Sequence, residues 1–156
     1  MITAYLSLGS NMGKREEYLE NAIAEINQLP YISLVAVSQM YETEPESGDE
    51  SEPHYLNQCC ALETALPPEE LYYLMLEIEK KLGRETKGDR SPRTIDIDIV
   101  LYGSDVVLND DLTIPHPLLH ERLFVLQPLS DIAPQAVHPI IGKTVAELLE
   151  ELLDKV

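Results

Sequence analysis

Apolar residues fall at positions 2, 4, 6 and 8 of the opening segment Ile2-Thr3-Ala4-Tyr5-Leu6-Ser7-Leu8-Gly9. This alternation predicts a strand with one buried face. From Arg15 to Leu29 the spacing changes to that of a helix, with Leu19, Ala22, Ile23 and Ile26 on one face and Pro30 as its stop. Residues 32–41 are rich in β-branched and apolar side chains and predict a second strand, and residues 54–64 predict a third. Pro67-Pro68-Glu69-Glu70 opens a second helix, whose stripe of Leu71, Leu74, Met75, Ile78 and Leu82 ends at Gly83. Residues 95–102 predict a fourth strand. The order β-α-β-β-α-β is that of the ferredoxin-like split βαβ unit. The expected fold is therefore α+β, an antiparallel sheet with both helices on one face and the other face open to a ligand. Residues 103–156 carry Pro115, Pro117, Pro128, Pro134 and Pro139 and are expected to form an irregular C-terminal extension, closed by a short helix over 145–153 that packs on the domain. No repeat, low-complexity tract or linker divides the chain, so residues 1–156 are expected to form a single domain.

Composition narrows the function. The 156 residues include 11 Lys and Arg against 28 Asp and Glu, a formal charge of −17. Phosphate-backbone binding depends on basic residues, so no nucleic-acid partner is expected. The opening residues lack a signal peptide's charged and apolar regions, and no apolar run approaches the ~20 residues of a membrane span, so the expected location is the cytoplasm, with no membrane partner. Adjacent Cys59 and Cys60 cannot form a disulfide scaffold and are expected to be small buried hydrophobes rather than a redox pair. The basic residues are concentrated: Lys80, Lys81, Arg84, Lys87, Arg90 and Arg93 lie within fourteen positions, opposed only by Glu85 and Asp89. Such a cluster suits a small polyphosphate, although Lys80 and Lys81 also suit a helix C-terminus. Residues 42–52 hold six acids and no base and predict a solvated loop.

The sharpest chemical pattern is Arg93-Thr94-Ile95-Asp96-Ile97-Asp98-Ile99-Val100-Leu101. Strand alternation puts Ile95, Ile97, Ile99 and Leu101 on a core face and Asp96 and Asp98 together on the other. Two carboxylates that close repel one another unless a cation lies between them, and oxygen donors of this kind suit Mg²⁺ with substrate phosphates. Metal, arginines and alignment are the parts of phosphoryl-type transfer. The alternative is an ordinary wet strand face. Tyr55 and Asn57 share a face and could hold a flat heteroaromatic ring, or be plain strand composition. His116, Arg122 and Phe124 could touch a phosphate, nucleoside or ring, or simply pack their loop, and His120 and His138 are expected at the surface. Neither the P-loop nor the dinucleotide fingerprint is present, and Gly9-Ser10-Asn11-Met12-Gly13 matches a phosphate loop only superficially.

Together these residues resemble the 6-hydroxymethyl-7,8-dihydropterin pyrophosphokinase family of folate biosynthesis. The likeness rests on Ala4-Tyr5-Leu6-Ser7-Leu8-Gly9-Ser10-Asn11, Tyr41-Glu42-Thr43-Glu44-Pro45, Tyr55-Leu56-Asn57, Gly83-Arg84, Pro92-Arg93-Thr94-Ile95-Asp96-Ile97-Asp98, Leu112-Thr113-Ile114-Pro115-His116-Pro117, Glu121-Arg122-Leu123-Phe124 and Pro128-Leu129. It implies transfer of pyrophosphate from ATP to the pterin hydroxymethyl group, with AMP and the pterin diphosphate as products. Asp96 and Asp98 would hold two Mg²⁺ ions, and Arg84 and Arg93 would act with them on the phosphates. Thr43, Pro45, Tyr55, Asn57 and Phe124 would bind the pterin. Glu79, Arg84, Arg93, Ile99, Thr113, His116 and Arg122 would face ATP. The resemblance leaves a monomer or a homodimer open. Three departures fall in the basic segment: no Trp precedes Pro92-Arg93-Thr94, the segment is one residue short, and Thr86 replaces a customary Arg. They imply a lid that closes less tightly. Outside the resemblance, a metal-dependent nuclease or nucleotidyl transferase, or a non-catalytic pterin or nucleotide sensor, would suit the same elements.

Overall fold

The alternating opening segment becomes β1 (Ile2–Ser10), the middle of a five-stranded antiparallel sheet, in a computed structural model that describes residues 1–44, 48, 51, 54–83 and 94–155. It is followed by α1 (Arg15–Gln28), β2 (Ile32–Val37), β3 (Tyr41–Thr43), β4 (Tyr55–Thr64), α2 (Pro68–Lys81) and β5 (Asp96–Tyr102). The strand order is β2-β4-β1-β5, with the short β3 also paired to β4. This is the ferredoxin-like order expected from the sequence.

The stretch read as one strand over 32–41 is two. Ser38 ends β2: its N–H still donates to Cys59 O at 2.9 Å, but the returning Cys59 N–H is taken by Ser38 Oγ at 2.9 Å, which in turn donates to Gln39 O at 2.8 Å. The chain then realigns, so that β3 pairs Tyr41, Glu42 and Thr43 with Asn57, Leu56 and Tyr55.

Helices α1 and α2 lie on one face of the sheet, where Leu19, Ala22 and Ile26 of α1 and Leu71, Met75 and Ile78 of α2 bury against Ala4, Leu6, Leu8, Cys60, Leu62, Ile97 and Ile99. Each of the leucines, isoleucines and methionine among them contributes about 1.5–3 kcal/mol of burial. Pro68 and two glutamates suit the first turn of α2, and Lys80 and Lys81 its last. Gly83, at φ +101°, turns the chain off the helix in a conformation that side chains rarely adopt.

The opposite face is not open along its length. A β-hairpin of β6 (Val107–Leu108) and β7 (Thr113–Ile114) and a 3-10 turn at Leu119–Glu121 lead into α3 (Leu123–Ile132), and α4 (Val145–Asp154) follows. Val125, Leu126 and Leu129 of α3 and Val145 and Leu148 of α4 form a second core on Cys59, Val100 and Leu101. The expected helix over 145–153 is therefore present. Its N-terminus is a capping box in which Thr144 Oγ accepts from Glu147 N at 3.1 Å and Glu147 Oε1 from Thr144 N at 3.0 Å. Helix α3 stands where an irregular stretch was expected, because Pro128 sits inside it.

Strict alternation also fails once in β5. The β1 pairing runs Leu6 with Ile99 but Tyr5 with Leu101, so Val100 is an extra residue. Leu101 consequently turns away from Ile95, Ile97 and Ile99 and joins Val100 in the second core, while Tyr102 returns to the first. Cys59 and Cys60 are each fully buried, one in each core, as free cysteines. Burial pushes the Cys60 thiol up to about 12, so neither the geometry nor the ionisation suits redox exchange.

Candidate active site

The register of the sheet aligns the pattern residues. Tyr41 pairs with Asn57, Asn57 with Gly9, and Gly9 with Asp96, giving one row across β3, β4, β1 and β5. The next row on that face is Cys59, Ser7 and Asp98. Asp96 and Asp98 therefore share the face on which α3 packs, beside its covered part. Strands lie about 4.8 Å apart, so Asn57 and Asp96, with β1 between them, are about 10 Å apart at the backbone. The two carboxylates are one pleat apart, about 7 Å at Cα. Both are half-buried.

Gly9 makes this row possible. A Cβ there would lie 3.2 Å from Asn57 Oδ1 and 3.3 Å from Tyr55 Cδ1, close enough that both side chains would have to shift by a few tenths of an ångström. Asn57 is 2% exposed and its Nδ2 donates to Thr43 Oγ1 at 2.6 Å. Thr43 and Tyr55 are themselves a cross-strand pair. Three of the expected pterin residues thus form one cluster.

A cavity of about 630 Å³ opens beside them, between Glu42, Thr43 and Glu44 on one wall and Leu118, Glu121, Arg122, Leu123, Phe124 and Gln127 on the other. Its volume suits a small heterocycle. The Glu42 carboxylate is held by Arg15, which leaves Glu44 and Glu121 against Arg122, a polar character that suits a ring rich in N–H donors better than a phosphate. Arg15 supports the first wall from outside: its Nη1 lies 2.7 Å from Glu42 Oε1 and donates to His54 O at 3.0 Å. Phe124 lies beneath the Arg122 guanidinium, 5.4 Å from Cζ to the ring centroid. Arg122 Nη1 is in turn 3.4 Å from His116 Nε2. The His116 backbone N–H donates to Val100 O at 3.1 Å, which ties the Pro115-His116-Pro117 segment to β5. A continuous line of neighbours therefore runs from the β5 of the two aspartates to the cavity.

Glu79 occupies a different place from a surface ligand. It is 2% exposed, and Oε2 accepts the Ile97 N–H at 2.6 Å. That N–H belongs to the edge strand β5, between the two aspartates, so a buried carboxylate completes the ladder there. Ile99 is in the first core, which leaves its backbone rather than its side chain for a nucleotide. Thr113 is half-buried on β7. Pro45, Arg84 and Arg93, and the basic segment 84–93 with its missing Trp, lie outside the described residues. His138, expected at the surface, is buried, with Nδ1 accepting from Ile140 N and Ile141 N at 3.2 Å. His120 meets it edge-on at 6.3 Å. Burial first, and His120 second, hold the His138 imidazole below its usual pKa.

No group of three or more metal-ligating side chains occurs among the described residues. Two half-buried carboxylates on one strand face are an oxygen-only donor pair, which suits Mg²⁺ because that ion keeps waters and takes phosphate oxygens for its remaining positions. No helix among the described residues is long and apolar enough to cross a membrane.

The family model described as 7,8-dihydro-6-hydroxymethylpterin-pyrophosphokinase matches residues 5–134. The chain belongs to this family. It is 42% identical over 132 residues to the 2-amino-4-hydroxy-6-hydroxymethyldihydropteridine pyrophosphokinase of Bacillus subtilis, covering 85% of this chain and 78% of that one. Its Haemophilus influenzae counterpart is 39% identical over 154 residues, covering 99% and 95%. The folic acid synthesis protein fol1 of Pneumocystis carinii is 40% identical over 96% of this chain, which spans only 20% of that longer protein. Among solved structures, a Plasmodium falciparum HPPK-DHPS superposes with a TM-score of 0.81 at 17% identity, over 99% of this chain and 44% of that one. That likeness supports the fold. The sequence reading gave no role to Leu118, Glu121, Leu123 or Gln127, and held Glu42 and Glu44 within a matching segment without singling them out. Phe124 and Gln127 are one turn apart on α3, a signal that Pro128 concealed.

Proposed function

We propose that this chain transfers pyrophosphate from ATP to the hydroxymethyl group of 6-hydroxymethyl-7,8-dihydropterin, releasing AMP and the pterin diphosphate, in the cytoplasm. The observation that carries this reading is the row Asn57, Gly9, Asp96. It sets a ring-binding amide about 10 Å from a carboxylate pair, the span of a bicyclic ring with its hydroxymethyl arm reaching toward a phosphate.

Thr43, Tyr55, Asn57 and Phe124 bind and orient the pterin in this reading, and Pro45 joins them by its place in the motif alone. The glutamates of the cavity favour its amino and ring N–H groups and disfavour phosphate, which directs the ATP phosphates toward Asp96 and Asp98. Those two residues would hold the Mg²⁺ ions, which when bound neutralise the phosphates and align them for displacement. Arg84, Arg93, His116 and Arg122 bind the polyphosphate and offset the charge that develops on it. Thr113 and the Ile99 backbone face the nucleoside, and Glu79 holds β5 straight beneath the aspartates. The attacking group is the substrate's own hydroxyl, held in line with the β-phosphorus of ATP, and the AMP oxygen leaves.

Steady-state turnover of Asp96→Ala and Asn57→Ala tests this assignment. Asp96→Ala is expected to lose more than about 10³-fold in kcat, whereas Asn57→Ala raises KM for the pterin and leaves KM for ATP unchanged. Full turnover by Asp96→Ala contradicts the reading.

A further inference from the structure

The two walls of the cavity come from distant parts of the chain, and one contact bridges them. The Tyr41 hydroxyl donates to the Asp131 carboxylate, 2.9 Å from Oδ1 and 2.8 Å from Oδ2. Tyr41 lies two residues before Thr43 on β3, so both side chains fall on the same sheet face. Asp131 lies four residues after Gln127 on α3, so both lie on the same helix face. Neither Tyr41 nor Asp131 lines the cavity. They join its walls just outside it.

We propose that Tyr41 and Asp131 are a positioning pair that fixes the separation of the β3 and α3 walls, and through it the affinity for a flat bicyclic ring. This inference rests on the reading that the cavity takes the pterin. Strand β3 needs such a support. It is three residues long and, among the described residues, paired on one side only, to β4. Its ladder sets its distance from β4 but not the distance of Thr43 and Glu44 from Phe124 and Gln127. Helix α3 is anchored independently, through Val125, Leu126 and Leu129 in the second core. A ring stacked between two walls loses contact when their spacing grows by a fraction of an ångström. A charge-assisted bond from wall to wall is the direct way to hold that spacing.

Kinetics of the full chain with Tyr41→Phe, Asp131→Ala, Asp131→Asn and the double variant Tyr41→Phe/Asp131→Ala test it. Tyr41→Phe and Asp131→Ala are each expected to raise KM for the pterin about 3–10-fold, the effect of losing one exposed but charge-assisted hydrogen bond. KM for ATP and kcat stay within about twofold. Asp131→Asn keeps an acceptor and restores KM toward the wild-type value, and the double variant is no worse than either single one, as for two ends of one contact. A KM for the pterin that Tyr41→Phe leaves unchanged overturns the pair while the pterin reading stands. So does a parallel rise in both KM values with a lowered Tm, which is a general loss of structure. Wild-type protein that forms no AMP with the pterin overturns both.

Discussion

Gly9 illustrates how much a single position decides. It carries no chemistry, yet it separates the amide of Asn57 from the carboxylate of Asp96 and leaves room for both Asn57 and Tyr55. Gly9→Ala is expected to raise KM for the pterin about 3–10-fold with little change in Tm, because small misplacements of orienting groups cost binding and rate before they cost stability. Substrate titration with a melting curve checks this. His138 gives a prediction of the opposite kind, on stability alone. Its folded pKa lies below the ordinary value near 6.5, because burial and His120 disfavour the charged ring. Below about pH 6.5 the unfolded chain takes up a proton that the folded chain resists, so stability is full above 6.5 and falls as pH drops through this window. Denaturant unfolding at pH 7.5 and 5.5 is expected to show a smaller difference for His138→Asn, whose carbonyl can accept the same backbone N–H groups, than for the wild type. Equal differences would remove His138 from the acid response. The sequence gives no hint of this burial, since a lone histidine between Val137 and Pro139 reads the same in or out of a core.

At the scale of elements, the periodic segments were legible and the irregular ones were not. Alternation in β1 was readable because its second face carries Tyr5, Ser7 and Gly9 rather than aliphatic residues, and the apolar stripes of α1 and α2 lie near their expected boundaries because one face of each helix is buried against the sheet. Where both faces are buried, pattern loses its meaning: Val100 and Leu101 are apolar whichever way they point, and only the pairing with Tyr5 and Leu6 reveals the bulge. Ser38 was hidden for a related reason, since the N–H that its hydroxyl takes from the ladder belongs to Cys59 of β4, 21 residues away in sequence. The aspartates, by contrast, were conspicuous as acids in an apolar strand, and Asn57 became informative only when register placed it level with Asp96. The reciprocal bonds of Thr144 and Glu147 begin a helix that supplies Val145 and Leu148 to the second core. Thr144→Ala is expected to cost about 1 kcal/mol, read as a lowered denaturation midpoint, without altering KM for either substrate. A changed KM would mean that α4 reaches the site.

Across the whole molecule, two cores share one sheet, and the site sits where the second core stops. The ferredoxin-like unit supplies the strands that carry Asn57, Asp96 and Asp98. The segment after Tyr102 supplies His116, Arg122 and Phe124 and covers the rest of that face. In the proposed reading the cleft lies between β3 and the segment after Tyr102, and the family match, through residue 134, takes in both. The account stands most directly on which nucleotide is released. Purified protein would be incubated with ATP, Mg²⁺ and 6-hydroxymethyl-7,8-dihydropterin, and the nucleotides and pterins resolved by chromatography. AMP formed in equal amount with the pterin diphosphate is the predicted result. ADP with a pterin monophosphate, or no pterin-dependent product, would contradict it.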